Sequence, residues 1–441
     1  MQHLPRRARV TAAAVSAALL LAACSPGAND GDADSAGGQT VTFRLWDDVA
    51  APAYEESFAA FTAANPDITV EVEVVPWADY WERLPLDISS GDMADIFWTN
   101  TSNFGRYADN GNLIDIDEAV GDHDAWQQSV ADLYLRDGTQ WGVPQLWDSI
   151  ALFYNRDLVE AAGVDPADLT WAPGAGEGDT LLAAARALTT DAAGTAAGEP
   201  GFDPASVQTY GFNAQLDLQA IYVNFLAENG AAFQEGDRFA FASPEGEEAF
   251  QYLVDLVNTY RVAPSAADTN TNGDVTRDLF LQGKLGLFQS GPYNLKTIAE
   301  NADFAWGLAP MVAGPEGRIG VVHGVAAVGN AQTENLEATT EVLRWLGSAA
   351  GQAPLARQGV AFPGAVDAQQ DFVDYWAERD VDLQPFLDSA QEPTAPSPLG
   401  PNVSAGSGAL TPILQEMFLG TIPVPEALRT AQDAANAAIA E

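Results

Sequence analysis

The chain has 441 residues, of which 47% are hydrophobic and 10% aromatic, so it is rich enough in apolar residues to exclude intrinsic disorder. Its net charge of −43 excludes a nucleic-acid partner, because such a surface repels phosphates. A single cysteine excludes an internal disulfide or a cysteine-ligated metal cluster. A chain this long exceeds the ~250–300 residues that one hydrophobic core serves, and we expect two lobes.

The first 23 residues have the features of an export signal. Arg6 and Arg7 form a basic start, and residues 10–23 are apolar but too few to span a bilayer, which takes ~20 residues. The four residues that end at Cys24 (Leu-Ala-Ala-Cys) resemble the bacterial lipobox, which implies cleavage before Cys24 and a lipid on its sulfur. The alternative is an ordinary signal with a chance cysteine, and the paired arginines leave Sec and twin-arginine export both open.

Residues 24–39 follow as a predicted flexible tether. They are mostly Gly, Ala, Asp and Ser without an aromatic residue, so they cannot bury enough surface to fold. No later run is apolar enough to cross a membrane. We therefore expect an exported protein, held through Cys24 at the extracellular face of the cell membrane.

The next part of the chain alternates between strand and helix patterns. Strands alternate apolar with polar residues, and helices repeat apolar residues every three or four positions. The predicted elements are a strand at 41–46, a helix through Tyr54 and Phe61, a strand at 68–74, a helix at 79–90 and a strand at 95–98. This order is typical of a parallel α/β sheet.

The remaining elements alternate with loops rich in glycine, proline and alanine. A loop followed by one apolar strand is predicted within 140–155, and surface loops at 172–179 and 191–206. Short strands are predicted at 285–288 and 304–308. Helices are predicted at 180–190, 215–229, 244–260, 275–282, 335–346, 409–418 and 425–440.

From about residue 41 to its end, the chain resembles the extracellular solute-binding protein family 1, the sugar receptors of carbohydrate-uptake ABC transporters. The segments that carry the resemblance are GVPQLWDSIALFYNRDLVEAAGV (142–164), FLQGKLGLFQSGPYNL (280–295), WGLAPMVAGPEGR (306–318) and WLGS (345–348). Two departures leave the sugar open. A glycine-rich insert follows Trp171, and Tyr293 stands where relatives carry tryptophan.

The resemblance implies a two-lobed α/β fold, periplasmic-binding-protein-like, of type II and similar to maltose-binding protein, with a hinge and an interlobe cleft. It implies chain crossings near 148–153, 304–308 and 346–352. The predicted first lobe holds 40–149 and 306–350, and the second holds 150–305 and 351–441. The implied protein is a monomeric receptor without a cofactor, not an enzyme, that delivers a carbohydrate to the permease subunits of an ABC transporter.

A sugar presents apolar C–H faces and a rim of hydroxyl groups, so its site needs aromatic rings beside carboxylates or amides. By resemblance, Asp148 accepts hydrogen bonds from the sugar with Trp147 beside it, and a cap at a helix or hinge is the alternative. The candidate ligand-binding residues are Trp46, Asp47, Asp48, Trp77, Asn100, Trp147, Asp148, Asn213, Gln215, Tyr293, His323, Gly324 and Phe362. Core packing of Trp46, a turn role for Asn100 and a satisfied buried position for His323 remain open.

Other chemistry is less well supported. Asp268, Asn270, Asn272 and Asp274 fit the start of an EF-hand-type calcium loop, but the twelfth position is Leu279, and such runs are more often turns or helix caps. No G-x-S-x-G or complete P-loop motif occurs. An exported glycoside hydrolase, which also needs a cleft with acids and aromatics, and a structural surface protein remain as alternatives.

Overall fold

The structure, a computed structural model, describes residues 38–121, 123–176, 178–391, 393–400 and 402–440. The predicted signal peptide, Cys24 and most of the predicted tether lie outside these ranges. Gln39, the last residue of that tether, already belongs to the first strand. Within the described ranges, we find no helix with both the length and the apolar character that a membrane crossing requires.

Within the described ranges the chain forms seventeen strands, of which eleven build a six-stranded and a five-stranded sheet and the other six form three two-stranded sheets. They are β1 (Gln39–Leu45), β2 (Ile68–Val74), β3 (Ile96–Asn100), β4 (Leu135–Arg136), β5 (Thr139–Gln140), β6 (Val143–Asp148), β7 (Ala151–Asn155), β8 (Thr190–Asp191), β9 (Val207–Phe212), β10 (Gln234–Glu235), β11 (Arg238–Phe239), β12 (Leu285–Ser290), β13 (Trp306–Ala309), β14 (Gly320–Val321), β15 (His323–Gly329), β16 (Phe362–Pro363) and β17 (Thr394–Ala395).

Helices cover the sheets. They are α1 (Ala51–Ala64), α2 (Trp77–Ser90), α3 (Thr101–Asp109), α4 (Ile116–Ala119), α5 (Gln128–Ala131), α6 (Arg156–Ala162), α7 (Thr180–Leu188), α8 (Val223–Glu228), α9 (Pro244–Asn258), α10 (Ala266–Thr269), α11 (Val275–Leu281), α12 (Leu295–Asn301), α13 (Leu336–Leu346), α14 (Ala349–Arg357), α15 (Val366–Ala377), α16 (Gln384–Ser389), α17 (Val403–Phe418) and α18 (Val424–Ala438).

The first sheet has six strands in the order β16-β6-β15-β3-β1-β2. The strands β1, β2 and β3 run parallel, as their sequence pattern predicts, and β15 is antiparallel to both β3 and β6. Phe43 of β1 is fully buried and packs against Tyr54 and Phe58 of α1, at ring-centroid distances of 4.7 and 5.2 Å. The predicted amphipathic helix therefore covers this sheet with its aromatic face.

The second sheet has five strands in the order β13-β7-β12-β9-β8. Gln289, on the central strand β12, is fully buried and connects three segments. Its backbone exchanges two hydrogen bonds with the amide of Asn213, its Nε2 donates to the carbonyl of Ala220 at 2.8 Å, and its Oε1 accepts from the amide of Val312 at 3.0 Å. Because a buried polar group must find partners, this residue fixes the loops at the carboxyl end of β9.

The apolar run predicted as one strand within 140–155 is two strands. β6 ends at Asp148 in the six-stranded sheet, and β7 begins at Ala151 in the five-stranded sheet. The chain passes between the sheets at Ser149, whose Oγ donates to the carbonyl of Phe386 at 2.6 Å. Strands buried on both faces lack the apolar–polar alternation that would have shown the break.

Two strands pair outside the sheet that the predicted lobe boundaries would place them in. β13 pairs with β7 in the five-stranded sheet, although 306–309 is part of the predicted first lobe. Conversely, β16 pairs with β6 in the six-stranded sheet, although it falls in the predicted second lobe. Gln352 explains the second difference, because its Nε2 donates to the carbonyl of Pro144 at 2.7 Å and its Oε1 accepts from the amide of Ala365 at 2.7 Å.

The later segments that connect the two large sheets also lie at other positions than the predicted chain crossings. One falls between β13 and β15, after the predicted crossing at 304–308, and another falls after β16 rather than at 346–352. Beyond β16 the chain returns to the five-stranded sheet, where Phe386 packs on Phe153 with 5.8 Å between ring centroids.

Candidate functional site

Two neighbouring strands carry four of the predicted site residues. Asp148, the last residue of β6, lies directly opposite His323, the first residue of β15, and Gly324 lies opposite Trp147. Since successive side chains along a strand point to opposite faces, Asp148 and His323 share one face and Trp147 points away from them. The adjacent residues Trp147 and Asp148 therefore have different surroundings.

Asp148 lies where elements of the two sheets meet. It is 8% exposed, and its Oδ2 accepts a long hydrogen bond of 3.5 Å from Nε2 of Gln219. The pKa of Asp148 is raised to about 7, chiefly by burial and also by the negative charge of Asp47, while the hydrogen bond from Gln219 opposes this rise. Gln219 lies beside the five-stranded sheet, so a single contact joins the two sheets at this point.

A π-helical turn, Leu218–Tyr222, presents Gln219. Asp217 caps it by accepting from the amide of Ala220 at 2.7 Å, and Gln289 holds the carbonyl of Ala220 from the sheet side. Such turns occur frequently at functional sites. The position of Gln219 is therefore set by the backbone of this turn and not by a flexible loop.

Tyr293 offers an open aromatic ring beside these polar groups. It is 39% exposed, and Oγ of Ser290 donates to its hydroxyl at 3.3 Å. Its pKa is raised, first because its hydroxyl is withdrawn from water and then by the charges of Asp217 and Asp148. A Cβ on Gly291 would lie 2.2 Å from the ring, so only glycine at this position lets Tyr293 adopt its orientation.

Three carboxylates, Asp47, Asp148 and Asp217, form what we term the carboxylate cluster. Burial is the first cause of the raised pKa of each of them, and Asp47 raises the pKa of Asp148 electrostatically. Asp47 accepts from the amide of Val49 at 2.8 Å, and the charge of Lys296 opposes the rise in its pKa. The neighbouring Asp48 is exposed.

Tryptophans follow the carboxyl ends of β1 and β2. Trp46 is half-buried and contacts Trp77 at 5.3 Å and Trp81 at 5.2 Å between ring centroids. Trp77 is 54% exposed, and Nε1 of Trp81 is buried without a hydrogen-bond partner. We term these three rings the aromatic platform. Its outer ring is open to a ligand, while Trp98 beneath Trp46, at 4.9 Å, is fully buried.

His323 is half-buried, and its Nε2 has no hydrogen-bond partner. Burial lowers its pKa to about 4, so the imidazole is neutral at pH 7. A neutral ring with a free nitrogen can exchange a hydrogen bond with a ligand hydroxyl. The alternative for His323 was a buried position with its hydrogen bonds satisfied, and the structure does not show this.

Asn100 ends β3 and precedes α3. It is half-buried, and its Oδ1 accepts from Nδ2 of Asn103 at 2.8 Å without capping the helix. The geometry thus shows the turn contact that was the alternative for this residue, and it leaves the Nδ2 group of Asn100 for a ligand.

Trp147 and Phe362, both predicted ligand contacts, are buried against each other in this structure. Their rings stack with 4.4 Å between centroids and an interplanar angle of 20°, and they are 5% and 1% exposed. Both belong to an apolar cluster with Phe372 and Trp376. The hydrophobic effect accounts for this placement, because stacking buries two large rings that the β6–β16 pairing brings together.

Three further predicted contacts have structural roles instead. Asn213 is fully buried, and its amide bonds only to the backbone of Gln289. Gln215 is 8% exposed, and its Oε1 accepts from Oγ1 of Thr276 at 2.5 Å. Gly324 is buried with no room for a side chain, since a Cβ would lie 2.6 Å from Cγ1 of Val130. Asn213, Gln215 and Gly324 are therefore engaged in contacts within the protein in this structure.

The proposed calcium loop is occupied by its own contacts. Asp268 accepts from Oγ of Ser265, Asn270 donates to a carbonyl of α17, Asn272 accepts from the amide of Asp274, and Asp274 pairs with Arg277. Among the described residues, no three His, Cys, Asp or Glu side chains are grouped so that they could hold a metal ion.

Sequence reasoning missed Asp217, Gln219 and Trp81. The rule that placed Trp46 after β1 applies equally to Asp217 and Gln219, which follow β9. We predict no strand at 207–212 from the sequence, and the segment 215–229 reads as a continuous helix, so the polar residues at its start resemble ordinary helix caps. Trp81 lies within a correctly predicted helix, and only its packing against Trp46 shows its role.

The arrangement suits a ligand that has both hydroxyl groups and apolar faces. The carboxylate cluster supplies hydrogen-bond acceptors, and Gln219 and His323 can donate or accept. Tyr293 and the aromatic platform supply ring faces. These residues come from both sheets, so a ligand that contacts all of them joins the two halves of the molecule.

Comparison with known proteins places the chain in a family. The profile of the bacterial extracellular solute-binding protein family matches residues 47–353. Maltodextrin-binding protein MdxE of Bacillus subtilis is 26% identical over 306 residues, 68% of this chain and 66% of that protein, and a putative binding protein of Brucella abortus is 26% identical over 345 residues, 76% and 77% of the two chains.

Solved structures of solute-binding proteins are also similar to this chain. The crystal structure of M. tuberculosis UspC is similar with 46% identity and a TM-score of 0.73, covering 91% of this chain and 100% of that one. An ABC substrate-binding protein of Listeria monocytogenes in complex with cycloalternan has 22% identity and a TM-score of 0.77, covering 90% and 98%. The predicted two-lobed α/β fold class is confirmed, and the chain belongs to the bacterial extracellular solute-binding protein family.

Proposed function

We propose that this protein captures a mono- or oligosaccharide between its two lobes and delivers it to the permease subunits of an ABC importer. The contact of Asp148 with Gln219 carries the proposal, because it joins the six-stranded and five-stranded sheets beside the open ring of Tyr293. A ligand at this position would contact both lobes at once.

A neutral polyol fits this site for a physical reason. The carboxylate of Asp148 is buried and accepts a long hydrogen bond of 3.5 Å from Gln219, and burial of a carboxylate is costly unless hydrogen bonds compensate. Sugar hydroxyls would supply further donors to Asp148. The faces of the sugar ring would pack on Tyr293 and on the aromatic platform, where the exposed Trp77 leaves room for more than one ring.

The names of relatives support a carbohydrate ligand. Two relatives are described as a maltodextrin-binding protein and as a maltooligosaccharide ABC transporter solute-binding lipoprotein. The structure of the GacH receptor of Streptomyces glaucescens was determined in complex with acarbose. The lipoprotein among them also supports the proposal that Cys24 carries a lipid and tethers this chain to the outer face of the cell membrane.

Binding is coupled to hinge closure in this proposal. A sugar that contacts both lobes stabilises the closed state over the open state by its differential affinity. A micromolar dissociation constant, about −8 kcal/mol, is within reach of several hydrogen bonds and one or two stacked rings. The closed form, still tethered, would be the form that the permease recognises.

A thermal-shift screen of mono-, di- and oligosaccharides, followed by calorimetry, tests the proposal. Asp148→Ala and Gln219→Ala should each weaken binding of the identified sugar by about ten-fold or more, because each removes a hydrogen-bonding group at the site. The matched exposed changes Asp303→Ala and Gln208→Ala should leave the affinity unchanged. Unaltered affinity in both site variants would refute this location.

The alternative of a glycoside hydrolase has its own test. Incubation of the protein with the oligosaccharides that it binds should release no new reducing ends, because the family and its structural neighbours are binding proteins. Release of reducing ends that is lost in Asp148→Ala would instead support the enzyme.

A further inference from the structure

A cavity lies outside the proposed sugar site. It has a volume of ≈ 570 Å³ and is bounded by the start of α6, by α12, by the residues that lead into β13, and by the end of α15 with the segment that follows it. Its polar and aromatic lining includes Arg156, Lys296, Trp306, Tyr375, Trp376 and Arg379. We term it the basic groove.

The basic groove gathers positive charge on a strongly acidic protein. The chain has 19 Lys and Arg against 62 Asp and Glu, yet Arg156, Lys296 and Arg379 line this one cavity. Within the described ranges, none of the three forms an ion pair within 4.0 Å. Glu300 and Asp380 also line the groove, which leaves it one net positive charge.

Neutral groups hold the two arginines in place. Nε of Arg156 donates to the carbonyl of Trp306 at 2.7 Å, and its guanidinium lies 5.4 Å from the ring centroid of Tyr154. Nη1 of Arg379 donates to the carbonyl of Tyr375 at 2.7 Å, and its guanidinium lies 3.5 Å from the centroid of that ring. A carbonyl and an aromatic ring orient a guanidinium without neutralising it, so both charges remain available to an anion.

Trp376 supplies an independent indication of a ligand. It is 1% exposed, and its Nε1 is buried without a hydrogen-bond acceptor. An unsatisfied buried donor costs ~1–3 kcal/mol. Because Trp376 also lines the basic groove, an oxygen of a bound molecule would satisfy this indole N–H.

The dimensions and lining of the groove indicate more than an inorganic ion. Its volume is in the range of small-molecule sites, ~300–1,000 Å³, whereas a phosphate ion would fill only a part of it. The half-buried rings of Phe304 and Trp306 offer apolar contact to an uncharged part of the ligand. Glu300 and Asp380, both exposed, can accept hydrogen bonds from hydroxyl groups.

We propose that the basic groove is a second ligand site that binds a small anionic sugar, one that carries a phosphate or a carboxylate. Arg156, Arg379 and Lys296 bind the anionic group, and Nε1 of Trp376 donates to one of its oxygens. The sugar ring packs against Trp306. This site is separate from the carboxylate cluster, whose negative charge repels the same ligands, although the charge of Lys296 also acts on Asp47.

Indole ¹⁵N–¹H spectra of the folded protein test the proposal, with the signal of Trp376 assigned through Trp376→Phe. Glucose 6-phosphate and glucuronate should shift this signal, and glucose should not. The double variant Arg156→Ala/Arg379→Ala should weaken the interaction by about ten-fold or more. Arg186→Ala is the matched control, since Arg186 also lies over a tyrosine ring, 4.8 Å from the centroid of Tyr260, but outside the groove.

Two results would overturn the proposal. One is a Trp376 shift that the double variant does not weaken, and the other is inorganic phosphate binding as tightly as glucose 6-phosphate, which would leave the sugar ring without a role. Calorimetry of the neutral sugar that binds between the lobes should be unaffected by the double variant. A negative result for the basic groove would therefore leave the proposed transport function unaffected.

Discussion

Trp147 and Asp148 show how far neighbouring residues can differ in role. They are adjacent in a segment that resembles a sugar-binding sequence, which favours a joint role. The alternation of β6 places them on opposite faces, so Trp147 enters an apolar cluster while Asp148 reaches Gln219. Which face of a strand is open to a ligand depends on what the strand packs against, and one sequence does not contain that information.

The two tryptophans Trp147 and Trp77 should respond oppositely to truncation. Trp147→Ala should lower the free energy of unfolding by ~3–5 kcal/mol, because it leaves a large cavity beside Phe362. Trp77→Ala should change it by less than ~1 kcal/mol, since the side chain is 54% exposed, but it should weaken sugar binding. Urea unfolding and calorimetry measure both quantities. The exposed Leu86→Ala on the same helix is the control for Trp77. A loss of stability in Trp77→Ala without one in Trp147→Ala would contradict the placement of Trp147 in the core and of Trp77 at the site.

Asp148 should make the stability of the fold depend on pH. Its folded pKa, about 7, lies above the ordinary value of 3.8, so the protonated form favours folding. This contribution is complete below about pH 4 and is lost as the pH rises through 7, at about 1.4 kcal/mol for each unit of pKa shift. Asp148→Asn does not titrate, so it should match the wild type near pH 4 and exceed its stability at pH 8.

Urea unfolding of the ligand-free protein between pH 4 and 8 measures this effect. Asp48→Asn, a change at an exposed neighbour, should keep the pH dependence of the wild type. A wild-type profile that Asp148→Asn leaves unchanged would show that the carboxyl group of Asp148 is not buried in the folded protein.

At the scale of elements, periodicity predicted some strands of each large sheet and missed others. The alternating strands β1 and β2 and the helices α1 and α2 lie where apolar spacing places them. β15 and β9 were missed. β15 (HGVAAVG) is almost wholly buried, so it shows no alternation, and β9 (VQTYGF) is short and interrupted by glycine. The missed strand β9 also hid the site residues that follow it, Asp217 and Gln219.

Close packing of α7 against β9 depends on Gly211. A Cβ at this position would lie 2.2 Å from the carbonyl oxygen of Ala185, a backbone atom that cannot move aside cheaply. Gly211→Ala should therefore lower the free energy of unfolding by ~1–3 kcal/mol or more. Gly273→Ala, where nothing lies within 4 Å of the new Cβ, is the matched control and should be nearly neutral. Equal stability of the two variants by urea unfolding would contradict this packing.

At the scale of the whole molecule, composition and motif resemblance predicted the family and the two-lobed fold, which the comparisons confirm. They did not predict which polar residues converge. The contact of Asp148 with Gln219 joins residues 71 positions apart, one at the end of a strand in the six-stranded sheet and the other in a π-helical turn beside the five-stranded sheet. Convergence of this kind follows from tertiary packing, which local sequence patterns do not specify.

A crystal structure of the protein with the sugar that it binds most tightly would test the central claim most directly. We expect a sugar ring between the two sheets, with hydroxyl groups within hydrogen-bond distance of Asp148 and Gln219 and a face against Tyr293 or Trp77. A sugar bound elsewhere, with Asp148 still closed on Gln219 and no ligand beside Tyr293, would contradict the account.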